Sequence, residues 1–182
     1  MDYITKLANL QDYVFENSYE LIEMFVYSLI AFFVPFFIGQ PQLVVGTIVN
    51  AMLITSALDI RGAKLLPVIL LPALATLSRG LVFGPFTIYL LYLIPFIWIG
   101  NSLLIFTFKL FNLKKNNNYF ITLFLGSLIK SGFLFAITYV LFLFGIVPVI
   151  FLTAMGLLQL GTAIAGGLIA YPIHKLKKAV LN

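Results

Sequence analysis

A lysine in the middle of an apolar run is the first residue that demands a chemical explanation. Lys130 stands midway between Tyr119 and Phe144, inside FLGSLIKSGFLF, too deep for its ammonium to reach either membrane surface easily. A charge at the centre of a membrane helix costs about 2.5 to 3.5 kcal/mol on insertion scales. Such a residue meets a ligand in a polar cavity, or it bonds to backbone carbonyls or a neighbouring helix. Arg79, in TLSRGLVFGPF, is the second candidate. It lies where an apolar run ends among glycines and Pro85, a composition that predicts an irregular connection. An interfacial anchor and a ligand contact both fit that setting.

The acidic residues lie elsewhere. Asp2, Asp12, Glu16, Glu20 and Glu23 precede or open the first apolar run, and Asp59 closes the second. If Arg79 and Lys130 face one cavity, no carboxylate side chain is expected beside them, and an anionic ligand group is the natural complement. Uncharged polar residues extend the candidate substrate-binding set: Gln40, Gln42, Asn50, Asn101 and Gln159, with Trp98 nearby in sequence. Each also has a structural alternative, because amides in lipid tie helices together for roughly 0.6 to 2 kcal/mol each. Small residues at packing spacing, Ser127 with Ser131, Gly161 with Ala165 and Ala163 with Gly167, predict close helix approach.

Other chemistries fall away. Cys is absent, which removes disulfides, thiolate metal sites and a Cys nucleophile together. The one histidine, His174, sits in a basic C-terminal stretch and reads as a solvated residue. No phosphate loop, paired-carboxylate motif, HExxH or Ser-His-Asp set occurs, so neither an enzyme nor a metal or other cofactor is expected.

The elements that must position these residues follow from composition. Of the 182 residues 62% are hydrophobic and 9% charged, where a soluble domain carries about a quarter charged. With a mean hydropathy of +1.11, the chain reads as an all-α integral membrane protein. Six apolar segments are expected: Leu21–Ile38, Leu43–Leu58, Leu65–Gly80 broken by Pro67 and Pro72, Phe86–Phe108, Tyr119–Phe144 and Ile146–Tyr171. The runs lack the alternation of a barrel strand, and buried backbone must be satisfied within each segment, so helices are expected. Residues 1–18 place Ile4, Leu7, Leu10 and Val14 at helical spacing among Lys6, Asp12 and Glu16, an amphipathic interfacial helix. No signal-peptide pattern precedes the first span. The expected organisation is thus an interfacial helix at 1–18, a six-helix membrane domain at 19–173 and a basic tail at 174–182.

Charge placement sets the orientation. With the N-terminus inside, the inner connections and tails hold Lys6, Arg61, Lys64, Lys109, Lys114, Lys115, Lys175, Lys177 and Lys178, every basic residue of the 11 except Arg79 and Lys130. Both termini are therefore expected in the cytoplasm, and the net charge of +5 reflects orientation and anionic lipid rather than nucleic acid.

At whole-chain scale, from Leu21 to Lys178, the sequence resembles the substrate-binding S components of energy-coupling factor (ECF) transporters. The resemblance lies in the six spans without an ATPase motif, the stretches PQLVVGTIVNAMLI, RGLVFGPF and LIPFIWIGN, and the Gly-rich last helix LLQLGTAIAGGLIAYPIHK. It implies a multi-pass protein of the prokaryotic plasma membrane that takes up a vitamin or related micronutrient. Its partners would be an ECF transmembrane subunit and two ATPases. The family's vitamin pocket would map onto Gln40, Gln42, Asn50, Arg79, Asn101 and Lys130. That family often carries Ala-x-x-x-Ala in span 1 for docking; here Ser28 is followed by Phe32, and Ser28 and Ala31 are the small residues on offer. A structural or assembly membrane protein, and a stand-alone transporter, are the alternatives.

Overall fold

The structure is a computed structural model that describes residues 2–12, 17–38, 40–83 and 87–181. Val14, Glu16, Gly84, Pro85 and Phe86, which entered the expectations above, lie outside the described residues. Those described are all-helical: α1 (Tyr3–Ala8), α2 (Asn17–Phe33), α3 (Gln42–Asp59), α4 (Leu66–Phe83), α5 (Thr87–Thr107), α6 (Tyr119–Leu143), α7 (Ile150–Met155) and α8 (Leu157–Leu181). Wider π-helical turns extend α2 through Val34–Ile38 and α5 through Phe108–Lys114. Six helices are long and apolar enough to cross a membrane.

Helix α3 is the axis of the bundle. It is buried over 67% of its span, whereas no other span exceeds 39%, and it touches α2, α4, α5 and α8. Its sequence explains this. Gly46, Asn50, Ala51, Thr55, Ser56 and Ala57 are small or polar, which suits a helix surrounded by protein rather than by lipid. The outer helices show the reverse pattern, with Phe25, Leu29 and Phe33 of α2 and Phe124, Leu128 and Phe135 of α6 exposed at the bundle surface. An apolar exterior of this extent suits hydrocarbon, not water.

Helices α3 and α8 approach closely. A Cβ on Gly166 would stand 2.7 Å from both the Ala51 nitrogen and the Thr47 carbonyl oxygen, so only glycine fits there without separating the helices. Gly46 faces Thr162 in the same seam. Of the small residues expected to pack, Gly167 lies against the Leu123 side chain and its carbonyl accepts the Tyr119 hydroxyl at 2.8 Å, which ties α6 to α8. Gly161 faces open space.

Several boundaries differ from expectation. Pro67 falls in the first turn of α4, where its missing N–H costs nothing, and the helix continues through Pro72 as far as Phe83. Arg79 is therefore helical rather than in an irregular connection. The fourth span continues past Phe108 to Lys114, and α8 runs unbroken through the stretch read as a tail. Ser28 and Ala31 are buried within the bundle, so they offer no exposed docking face.

One pair of substitutions tests this packing. Gly166→Ala should destabilise by about 1–3 kcal/mol, because its neighbours are backbone atoms that cannot move aside. Gly161→Ala should be neutral or stabilising by up to about 1 kcal/mol, since alanine favours an open helical position. Unfolding in mixed micelles would measure both, and equal effects would contradict the α3–α8 seam.

Candidate functional site

The cavity at one end of the bundle is assembled from α3, α4, α5, α6, α7, α8 and the π turn after α2. Its volume is about 470 Å³, in the range of small-molecule sites. All seven residues singled out from the sequence line it: Gln40, Gln42, Asn50, Arg79, Asn101, Lys130 and Gln159. The walls are largely apolar, with Val45, Val49, Ala73, Ile94, Ile97 and Met155 contributing most directly. No aspartate or glutamate is among the described lining residues.

Lys130 forms the base. Its side chain is 2% exposed, and its Nζ donates to Asn50 Oδ1 at 2.6 Å and to Asn101 Oδ1 at 2.9 Å. Each asparagine is fixed in turn through its amide nitrogen. Asn50 Nδ2 donates to the Gly46 carbonyl at 2.8 Å and to Thr162 Oγ1 at 3.1 Å, which links α3 to α8. Asn101 Nδ2 donates to the Ile69 carbonyl at 3.0 Å. That carbonyl belongs to the turn before Pro72, and in the same turn Leu70 accepts Trp98 Nε1 at 3.1 Å. Trp98 is thus a tie between α4 and α5 and does not line the cavity. The proline that the sequence suggested as a break instead lies inside a continuous α4, whose Ile69 carbonyl holds Asn101 in register with Lys130.

An ammonium has three N–H donors. Two of them are engaged by the asparagines, which leaves one for a group inside the cavity. Both partners are neutral amides, so the positive charge at the base is solvated by dipoles but not cancelled. Arg79 sits nearer the mouth, where its Nη1 donates to the Phe36 and Phe37 carbonyls at 3.0 and 2.7 Å. A cation at the carboxyl end of a helix satisfies orphan carbonyls and complements the helix dipole. Gln42 Nε2 reaches the Ala154 carbonyl at 3.4 Å and joins the start of α3 to α7. Gln40 is exposed and Gln159 half-buried at the same end.

The opposite end of the bundle holds a charge network that the sequence did not reveal. Glu20, fully buried, accepts from the Arg61 backbone N–H at 2.8 Å, from Arg61 Nε at 3.2 Å and from Lys64 Nζ at 2.7 Å. Asp59, also buried, accepts from the Tyr27 hydroxyl at 3.2 Å and from Lys177 Nζ at 2.5 Å, and Lys177 also pairs with Glu23. His174 is not solvated: it is 12% exposed, with Nε2 at 3.1 Å from Asp12 Oδ2, which Lys178 also reaches at 3.0 Å. Lys109, expected in a loop, is fully buried and donates to the Leu10 and Ile60 carbonyls at 2.5 and 2.9 Å. The signal in the sequence was that all six acids and nine of the 11 bases fall toward the inner side, which fixed no individual pair.

No family model matches this sequence, and neither the curated proteins nor the solved structures provide a match to it.

If Asn101 serves to hold Lys130, the two residues must be energetically coupled. Asn101→Leu should cost about 1–2 kcal/mol. Combined with Lys130→Met, it should cost less than the sum of the single changes by about 1 kcal/mol, since the second change removes the group the first had stranded. Additivity within roughly 0.3–0.5 kcal/mol would show that the 2.9 Å contact carries no stabilisation.

Proposed function

We propose that this chain is a membrane-embedded capture subunit for a small anionic molecule, a carboxylate-bearing vitamin or related micronutrient. The observation that carries this reading is electrostatic. The two basic residues set apart from the charged end, Arg79 and Lys130, line one cavity with no carboxylate among its described lining residues. A ligand anion completes the base of that cavity by accepting the remaining Lys130 N–H. Charge-assisted bonds of this kind are worth about 1.5–3 kcal/mol each.

Orientation follows from the distribution of basic residues. Short cytoplasmic loops concentrate Lys and Arg, so the end carrying Arg61, Lys64, Lys109 and Lys177 faces the cytoplasm and the cavity opens outward. Both termini then lie inside a prokaryotic plasma membrane, with α1 at its inner surface. Cysteines introduced at Gln40 and Gly145 should react with an impermeant maleimide from outside. Those at Gly62 and Asn117 should react only after permeabilisation, and external labelling at Asn117 would reverse the assignment.

The energy for uptake comes from elsewhere. With no Walker-type loop the chain cannot hydrolyse ATP, and its resemblance to ECF S components supplies the partners: a transmembrane subunit and two ATPases. Alone in liposomes the protein should retain ligand without accumulating it, even under a proton or sodium gradient. Accumulation should begin when the host's partners and ATP are added. Gradient-driven uptake by the lone protein would instead identify a secondary transporter.

A structural or assembly role is the second reading, and the Asn50–Lys130–Asn101 bonds favour it, since they fasten α3, α5 and α6 together whether or not a ligand is present. Lys130→Met separates the two. It keeps the length of the side chain and removes the charge, so ligand affinity should fall by about 2 kcal/mol, some thirtyfold. Undiminished uptake by the variant at limiting substrate would favour the structural role.

A further inference from the structure

The base of the cavity also restricts what the anion is attached to, an inference that rests on the capture reading above. Asn50 and Asn101 take two of the three Lys130 N–H groups, at 2.6 and 2.9 Å, so a ligand receives a single hydrogen bond there. Above that point the walls are largely apolar, with Val45, Val49, Ala73, Ile94, Ile97 and Met155 facing the space and Thr76, Gln40, Gln42 and Gln159 as polar interruptions. A hydrated polar body would lose its water against these side chains without replacement hydrogen bonds. The second cation, Arg79, is at the mouth with Nη1 held on the Phe36 and Phe37 carbonyls. There is thus one cationic seat at depth.

Amino groups meet the opposite situation. The described acids Asp12, Glu20, Glu23 and Asp59 are all bound into the network at the far end of the bundle. An ammonium entering the cavity would meet Lys130 and Arg79 with no carboxylate among the described lining residues to offset them. Rejection of that kind is a repulsive term and adds to any preference for the anion.

We infer that the cavity selects a molecule with one carboxylate and an apolar body, seated with its carboxylate on Lys130, and excludes molecules bearing an amino group. The class therefore contains aryl- and alkyl-alkanoic acids and leaves out amino acids, polar dicarboxylates and cationic vitamins.

The test uses the full chain in nanodiscs and four probes titrated calorimetrically: 4-phenylbutanoate, 4-phenylbutan-1-ol, 4-phenylbutylamine and adipate. Nanodiscs without protein provide the baseline for partition into lipid. Specific binding of 4-phenylbutanoate should exceed that of the alcohol and the amine by about tenfold or more, and should fall some thirtyfold in Lys130→Met. A second variant guards against misfolding of the first. Gln159 is half-buried and already polar, so Gln159→Glu places a carboxylate in the lining at little structural cost. It should weaken 4-phenylbutanoate and improve the amine. Adipate binding as tightly as 4-phenylbutanoate, in a Lys130-dependent manner, would overturn the single-carboxylate class and leave the anion pocket standing. Equal or tighter binding of the amine to the unmodified protein would overturn the exclusion of amino groups. Specific binding of none of the four would remove both the class and the capture reading beneath it.

Discussion

One ammonium and two amides hold the upper half of this bundle in place. Lys130 brings a charge into a region where lipid would not tolerate it, and Asn50 and Asn101 replace the lost water with two carbonyl dipoles. Because the three residues come from α6, α3 and α5, solvating the charge also fixes the relative position of three helices. The constraint continues outward through the amide nitrogens, to Thr162 on α8 and to the Ile69 carbonyl on α4. Removing a partner from such a network strands a buried polar group, which is costlier than never having placed one there.

The same logic appears at the other end of α3 with a different outcome. There Glu20 pairs with Arg61 and Lys64, Asp59 pairs with Lys177, and Lys109 donates to the carbonyls of Leu10 and Ile60. The buried carboxylates of this end are thus each paired with a cation of the protein itself. At the cavity end the ammonium is solvated but not neutralised. The contrast between a compensated end and an uncompensated one gives the molecule its electrostatic direction, and both ends depend on the central helix, which carries Asn50 on one turn and Asp59 at its terminus.

Much of the candidate site was legible because polar residues are conspicuous in an apolar sequence. Lys130, Asn50 and Asn101 stand out by type alone, and the lack of acids near them follows from counting. Packing was less legible. Gly161 and Gly166 look equivalent in sequence, and only the rotation of α8 against α3 decides that Gly166 meets backbone while Gly161 meets nothing. Helix ends were missed for a related reason: hydropathy marks where lipid stops, whereas α8 continues as helix because Lys177 and Lys178 find acids to pair with. His174 looked solvated for want of a visible partner, and that partner, Asp12, is remote in sequence. Pro72 was read as a break because proline removes a hydrogen bond. That Asn101 and Trp98 bond the turn before it requires knowing that α5 lies beside that turn.

Rigidity is distributed unevenly around the cavity, and this bears on how a ligand could enter. The base is gripped by long helices whose polar contacts are buried and short. The mouth is built from smaller pieces, the π turn Val34–Ile38 and the two-turn α7, joined to the long helices by Arg79 on the Phe36 and Phe37 carbonyls and by Gln42 on Ala154 at 3.4 Å. Hydrogen bonds that are partly or wholly exposed open at lower free energy than buried ones, so local opening concentrates in such segments. Access can therefore change at the mouth while Lys130, Asn50 and Asn101 keep their geometry. A ligand of the proposed class would meet a cation already oriented for it at a preorganised base, and the entropy of ordering would fall on a few surface residues rather than on the core of the bundle.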